Sequence, residues 1–118
     1  MYLLVDVLEQ TEHLPSILEG FAKIGVSGAT VLESIGMGRV LWEAETEIPA
    51  MGIIRKVLEE GKPTNRTIFA VIEDKQTVAK AVAVIKSFCG ELGDPGKGIV
   101  FVMPVEFAEG LTLSPHPA

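Results

Sequence analysis

Apolar and polar residues follow two different periods along this chain, one typical of strands and the other of helices. Short runs rich in β-branched and apolar residues predict four strands, at Tyr2 to Leu8, Ala29 to Ile35, Thr67 to Ile72 and Ile99 to Val105. Pro104 lies inside the last run, and proline cannot donate a hydrogen bond to a neighbouring strand. The fourth strand is therefore predicted to stop pairing there or to lie at an edge of the sheet.

Two longer segments repeat their apolar residues at helical spacing. The first contains Leu14, Ile17, Leu18, Phe21 and Ile24, and the second contains Val78, Ala81, Val82, Ile85 and Phe88. Thr11 is predicted to cap the first helix, either Asp74 or Thr77 is predicted to cap the second, and Gly25 is predicted to end the first. The predicted order is strand, helix, strand, strand, helix, strand.

This order is a twice-repeated βαβ unit, and it predicts the fold class. We expect an α+β, ferredoxin-like βαββαβ domain with an antiparallel four-stranded sheet and both helices on one face. The strand sequences TIFAVI and IVFVM are apolar at nearly every position, whereas a sheet face in water would alternate with polar residues. We therefore expect the second face to pack against further copies of the chain in a closed symmetric oligomer.

The segment between residues 38 and 66 has the weakest pattern. Gly36 and Gly38 are predicted to interrupt the strand before Trp42. A helix is predicted over Met51 to Glu60, because Ile54, Val57 and Leu58 would share one face of it, and Gly61 and Pro63 are predicted to end it. Glu43, Glu45 and Glu47 alternate, which fits an extended loop or an ordinary solvated acidic run. Trp42 is open to two interpretations, a partner anchor or a residue folded back on the subunit. Connections this long are usually functional or disordered.

Composition narrows the class of protein. A chain of 118 residues has the length of one domain, and we expect a single domain over residues 1–111 followed by a flexible tail at residues 112–118. One cysteine, Cys89, and two separated histidines predict neither a disulfide nor a metal site. The chain has no recognisable signal peptide and no apolar run of membrane-spanning length, which favours a cytoplasmic location. A net charge of −6 argues against general nucleic-acid binding.

The stretch CGELGDPGKG, Cys89 to Gly98, concentrates four glycines and a lysine between the second predicted helix and the last strand. Backbone N–H groups of such a loop can converge on an anion, and the lysine can add a positive charge. It is not a Walker loop, because it leads from helix to strand. The alternative is a glycine-rich helix end followed by a turn. Asp94 and Lys97 have no nucleophile or histidine near them in sequence, so we expect no enzymatic activity.

Three stretches of the chain resemble the PII nitrogen-regulatory signalling proteins over about residues 1–111. GVSGATVLESIGMGR, Gly25 to Arg39, resembles the segment that leads into the family's long T-loop. CGELGDPGKG resembles its B-loop, with Cys89 in place of a threonine and Pro95 inserted. IVFVMPVE, Ile99 to Glu106, resembles its last core strand. The first and third stretches together are fairly specific.

The resemblance implies a homotrimer that binds ATP, ADP or AMP as an effector between subunits and engages an enzyme or a membrane transporter through a T-loop at residues 38–66. No cofactor is assigned beyond this possible effector, and the net charge of −6 argues against a nucleic-acid partner. Carried over by position, the residues on the phosphate side would be Gly90, Gly93, Asp94, Gly96 and Lys97. The residues near the base or the root of the T-loop would be Thr30, Gly38 and Arg39.

The chain departs from the family pattern at positions that define ligand choice. Val40 stands where the family usually has a glutamine that contacts the ligand and 2-oxoglutarate. The family's C-terminal arginine pair has no counterpart after Glu106, where the chain reads FAEGLTLS. Two lost charge-assisted contacts, each worth on the order of 1.5 to 3 kcal/mol, would weaken nucleotide binding unless another cation substitutes for them.

Two other function classes are compatible with the predicted topology. An ACT-like or CutA-like module would bind an amino acid or a metal ion and leave the glycine loop empty. A small acylphosphatase would need an arginine in an early glycine loop, which GVSG lacks. A PII-like regulatory protein is therefore the leading hypothesis.

Overall fold

The computed structural model describes residues 1–26, 28–60, 64–94 and 96–111. Its strands are β1 (Tyr2–Leu8), β2 (Ala29–Ser34), β3 (Asn65–Ile72) and β4 (Ile99–Pro104). Its α-helices are α1 (Leu14–Lys23), α2 (Met37–Glu43), α3 (Met51–Glu60) and α4 (Lys75–Cys89), and a short 3-10 turn precedes α1. The four strands form one antiparallel sheet in the order β2-β3-β1-β4, which confirms the predicted ferredoxin-like fold. Among the described helices, none is long and apolar enough to cross a membrane.

The core lies between α1, α4 and one face of the sheet. Successive strand residues point to opposite faces, so Leu4 and Leu8 of β1 face the helices together with Ile68 and Ile72 of β3. The helices contribute Ile17, Phe21, Ala81 and Ile85 to the same cluster. These residues are those of the predicted apolar stripes, which explains why α1 and α4 pack where the sequence pattern indicates.

The opposite face of the sheet is open in the single subunit. The pairing register places Leu3, Val5 and Val7 of β1 directly opposite Met103, Phe101 and Ile99 of β4, so these residues share that face. The side chains of β4 are 41% to 54% exposed there, and Leu32 of β2 is 52% exposed. The second apolar face that the sequence predicted is therefore present, and in the single subunit much of it remains accessible.

Several helices and strands begin at residues other than those predicted. Thr11 was predicted to cap the first helix, but it begins the 3-10 turn, and α1 starts at Leu14 without a side-chain cap. Asp74 does cap α4: its carboxylate accepts a hydrogen bond from the Thr77 backbone N–H at 2.8 Å, which lowers the pKa of Asp74. β3 begins at Asn65, two residues earlier than predicted, because Asn65 pairs with Ser34.

The two remaining strand ends are each one residue earlier than predicted. β2 ends at Ser34 instead of Ile35, because Ser34 is the last residue that pairs with β3. β4 ends at Pro104, at the edge of the sheet, as the missing N–H of proline favours.

The long connection between β2 and β3 is helical. The helix predicted over residues 51–60 is confirmed as α3, whereas Gly61 and Pro63, which were predicted to end it, lie outside the described residues. The sequence pattern missed α2. Gly36 is the extended residue before α2, and Gly38 lies against α3, where a Cβ atom would come within 2.9 Å of Ile54 Cγ2. Both glycines therefore belong to a hairpin of α2 and α3, which we call the helical hairpin.

The three alternating glutamates do not form one face of an extended loop. Glu43 ends α2, and Glu45 lies in the following turn with a positive φ of 56°. Glu47 forms an exposed ion pair with Arg55 of α3 at 3.5 Å. The acidic run is thus the turn of the helical hairpin, as expected for a solvated charge cluster.

Asp6 is the charged residue of the core. Its side chain is 2% exposed between Leu4 and Leu8, and among the described residues its Oδ2 atom has no hydrogen-bond partner. Burial raises the pKa of Asp6 from 3.8 to about 6. The core therefore holds a carboxyl group that keeps its proton to a higher pH than an exposed aspartate does.

We expect the stability of the protein to fall as the pH rises from about 4 to about 6. Because the folded-state pKa of Asp6 lies above its unfolded value, the folded chain binds the proton more tightly, and this contribution is lost as the pH rises through about 6. Asp6→Asn should remove this dependence and raise the free energy of unfolding at pH 7 by up to about 3 kcal/mol. Urea unfolding between pH 4 and 8 measures both effects. Asp94→Asn, at an exposed position, is the control, and an Asp6→Asn curve parallel to wild type would contradict the assignment.

Candidate functional site

The glycine loop, residues 90–98, follows directly from the end of α4. Gly90 has a φ of +75°, and its N–H donates to the Lys86 carbonyl at 2.8 Å, so Gly90 closes the helix. Gly96 and Gly98 also have positive φ values, of 81° and 89°. Only glycine adopts such angles without strain. The glycines therefore let the chain turn sharply from α4 into β4, as the helix-end interpretation of the sequence requires.

The surface of the glycine loop is accessible to a ligand. Gly90, Gly93, Asp94 and Gly96 are exposed, and Lys97 is half-buried with its N–H directed to the Asp94 carbonyl at 3.4 Å. A groove of about 460 Å³ opens beside the loop, between α4 and β4, and is lined by Lys86, Leu92, Gly93, Gly98, Val100 and Val102. This volume lies within the usual range for small-molecule sites.

Gly98 holds the end of the glycine loop against β1. A Cβ atom at this position would overlap the Val7 carbonyl oxygen and would lie 3.4 Å from the Glu9 nitrogen. The backbone of the loop therefore contacts the backbone of β1 directly, and no side chain fits between them. The position of the loop depends on where β1 ends.

Cys89 is a packed core residue. It is 3% exposed at the end of α4, and burial is the main cause that raises the pKa of its thiol. Asp6 raises this pKa further, and Lys97 opposes the shift. A thiol with a raised pKa is a poor nucleophile, so Cys89 supports the loop by packing.

Arg39 and Gly38 lie within the helical hairpin. The Arg39 guanidinium group stacks over the Trp42 ring at 4.9 Å from its centroid, and Nη2 donates to the Leu58 carbonyl at 3.2 Å. Arg39 therefore connects α2 to the carboxyl end of α3, where a positive charge is favourable. Trp42 is half-buried beneath the guanidinium, so it folds back on the subunit.

Thr30 lies apart from both groups. It is an exposed residue of β2 and pairs with Phe69 on the open face of the sheet. The structure thus brings together the predicted phosphate-side residues in the glycine loop, and it places Gly38 and Arg39 in the helical hairpin. Nothing within the described part of the subunit joins Thr30 to these two groups.

Four polar residues that the sequence pattern did not single out meet where the helical hairpin joins the sheet. Ser34 Oγ donates to Asn65 Oδ1, the Ser34 and Thr67 hydroxyls lie 2.7 Å apart, and Asn65 Nδ2 donates to Glu9 Oε1 at 3.1 Å. We call Glu9, Ser34, Asn65 and Thr67 the base cluster. Ser34 lies beside Asn65 because of the β2–β3 register, which the sequence alone does not specify. The one sequence signal for this cluster was a polar residue at each of these strand ends.

We expect Arg39→Ala to loosen the helical hairpin. Loss of the stacking and of the hydrogen bond should cost about 1 to 2 kcal/mol, enough to speed amide exchange in α3 roughly tenfold. Trp42 is the only tryptophan, so its fluorescence emission should shift to the red as its ring becomes exposed. Lys56→Ala, at an exposed position on α3, is the control. Unchanged emission and exchange in Arg39→Ala would contradict a bridging role.

Together, the antiparallel β2-β3-β1-β4 sheet, the glycine loop before its last strand and the long connection between β2 and β3 define a ferredoxin-like α+β protein with a helical hairpin. A family model described as nitrogen regulatory protein P-II matches residues 2–112. The chain belongs to the P-II family of nitrogen-regulatory signal-transduction proteins, which confirms the resemblance seen in its motifs. A search of the curated proteins finds no match.

Proposed function

We propose that the protein is a cytoplasmic, homotrimeric signal transducer that binds a small anionic effector between subunits and acts on a partner without catalysing a reaction. An adenine nucleotide, ATP, ADP or AMP, is the proposed effector. The observation that carries this proposal is the glycine loop, which presents accessible backbone and Lys97 beside a groove of about 460 Å³. Family membership supports the regulatory role.

The open face of the sheet supports the trimer. Ile99, Phe101 and Met103 of β4 and Leu32 of β2 expose apolar side chains on this face. Contiguous apolar surface of this kind is covered by protein in soluble chains, and copies of one chain assemble with closed symmetry. We propose that three sheets face a common centre, which leaves the edges of neighbouring subunits to form the effector cleft.

In this proposal Gly90, Gly93, Gly96 and the ammonium group of Lys97 hold the phosphates, and Asp94 shapes the turn that presents Lys97. Thr30, Gly38 and Arg39 are proposed to line the base side of the cleft. Because Arg39 already contacts Trp42 and Leu58, its use by a ligand would compete with contacts that hold the helical hairpin together. Effector binding would then shift the hairpin between two populations that a partner enzyme or membrane transporter distinguishes.

Isothermal calorimetry with ATP, ADP, AMP and cyclic dinucleotides tests the proposed effector. We expect at least one adenine nucleotide to bind, and Lys97→Ala to weaken binding at least about tenfold, because a charge-assisted hydrogen bond contributes about 1.5 to 3 kcal/mol. Lys75→Ala, at the opposite end of α4, is the control. No nucleotide binding at millimolar concentration would overturn the proposal, and binding of an amino acid or metal ion instead would favour an ACT-like or CutA-like module.

A further inference from the structure

The glycine loop and the base of the helical hairpin both meet the end of β1. Gly98 leaves no room for a Cβ atom beside the Val7 carbonyl, and a Cβ atom there would lie 3.4 Å from the Glu9 backbone nitrogen. The side chain of the same Glu9 accepts the hydrogen bond from Asn65 in the base cluster. The backbone of Glu9 therefore lies next to the candidate ligand loop, and its carboxylate contacts the base of the hairpin.

The base cluster is a directed chain of hydrogen bonds. The Ser34 hydroxyl donates to Asn65, so the Thr67 hydroxyl is the donor to Ser34, and Asn65 then donates to the Glu9 carboxylate. Asn65 is 4% exposed, and a buried amide that loses its partners incurs a large desolvation penalty. A displacement of Glu9 therefore has to be followed by Asn65 or accompanied by the loss of a buried hydrogen bond.

The two strand ends that flank the helical hairpin in sequence both belong to this cluster. Ser34 is the last residue of β2, and Asn65 is the first residue of β3. A Cβ atom at Gly36, the residue before α2, would lie 3.9 Å from Asn65 Nδ2. A shift of the Asn65 side chain would therefore change the packing beside Gly36, where α2 begins.

We propose that the base cluster couples the glycine loop to the helical hairpin within one subunit, with Glu9 and Asn65 as the positioning residues. The proposal deepens the proposed function, because it rests on the glycine loop as the ligand site and on the hairpin as the reporting element. A ligand that orders the loop fixes the end of β1, and Asn65 passes this constraint to the hairpin. The coupling is reciprocal, so a partner that holds the hairpin also orders the loop.

Hydrogen exchange of the full chain without any ligand tests this coupling. Asn65→Ala disrupts the cluster at the hairpin base, and the readout is amide exchange at residues 96–100, at the far end of the coupling. We expect this exchange to rise at least about fivefold. Glu33→Ala is the matched control, because it breaks the neighbouring Glu33–Arg66 ion pair at 3.4 Å, which joins β2 to β3, and leaves the hydrogen bond between Asn65 and Glu9 in place. It should change this exchange less than about twofold.

The proposal is overturned if Asn65→Ala loosens the hairpin while the amides of residues 96–100 stay protected from exchange. It is also overturned if Glu33→Ala raises exchange at residues 96–100 as much as Asn65→Ala does. If circular dichroism shows that Asn65→Ala does not fold, Glu9→Ala, at a half-buried position, replaces it. The readout is then exchange at residues 36–43, where a rise supports the coupling and an unchanged rate overturns it. Because no nucleotide is present, failure here leaves the calorimetric test of the effector unaffected, and failure of that test leaves this coupling unaffected.

Discussion

Gly98→Ala should destabilise the protein by about 2 to 6 kcal/mol, the largest effect that we expect from a single methyl group in this chain. Gly98 has a φ of +89°, and strain of this kind costs about 1 to 3 kcal/mol for an L-residue. The new Cβ atom would also overlap the Val7 carbonyl oxygen, which cannot retreat without disturbing β1, and overpacking typically costs a further 1 to 3 kcal/mol. Urea unfolding followed by circular dichroism measures the loss.

Two other glycines of the loop separate strain from overlap. Gly90 has a positive φ, but a Cβ atom there would meet nothing within 4 Å. Gly90→Ala should therefore lower the free energy of unfolding only by the cost of backbone strain. Gly93 has the same free space and no positive φ, so Gly93→Ala should be close to neutral. If all three variants unfold at the same urea concentration, the close contact between the glycine loop and β1 is wrong.

Phe101→Glu should convert the proposed trimer into monomers. Phe101 lies on the open face of the sheet, opposite Val5, and is 41% exposed in the single subunit. In the proposed assembly the substitution would bury an unpaired carboxylate in each subunit, at a cost of several kcal/mol per ion. Multi-angle light scattering at micromolar concentration should show the mass falling from three times to one times the 12.6 kDa subunit mass.

A charge on the outer surface provides the control for this substitution. Ala22 is an exposed residue of α1, on the side of the subunit away from the open face, so Ala22→Glu should leave the trimer intact. We expect the Phe101→Glu subunit to fold, because its helix-facing core is unchanged. Circular dichroism checks that it does. A wild-type protein that is a monomer at micromolar concentration, or a Phe101→Glu protein that stays trimeric, would contradict the proposed packing of the sheets.

The candidate site was predicted in part from sequence. The cluster of glycines and Lys97 lies within ten consecutive residues, so it forms one loop in any fold that joins a helix to a strand there. The role of Gly98 could not be predicted in the same way, because its constraint comes from Val7, which is distant in sequence. Arg39 was assigned by resemblance alone, and its contacts with Trp42 and Leu58 depend on a helix that the pattern missed.

The sequence by itself determined the four strands, α1, α3, α4 and the ferredoxin-like order. These elements follow from local periodicity, which is set by whether a residue faces a core or water. It also determined that both faces of the sheet are apolar, since side-chain alternation depends only on the strand itself.

Only the tertiary structure decided how α2 forms and what the base cluster contacts. Gly36 and Gly38 disfavour both strand and helix locally, and the close packing of Gly38 of α2 against Ile54 of α3 is a tertiary contact that no local pattern contains. Glu9, Ser34, Asn65 and Thr67 become neighbours through strand register, a long-range property that pairs residues up to 56 positions apart. Local patterns specify elements, whereas contacts between distant residues specify the connection between the glycine loop and the helical hairpin.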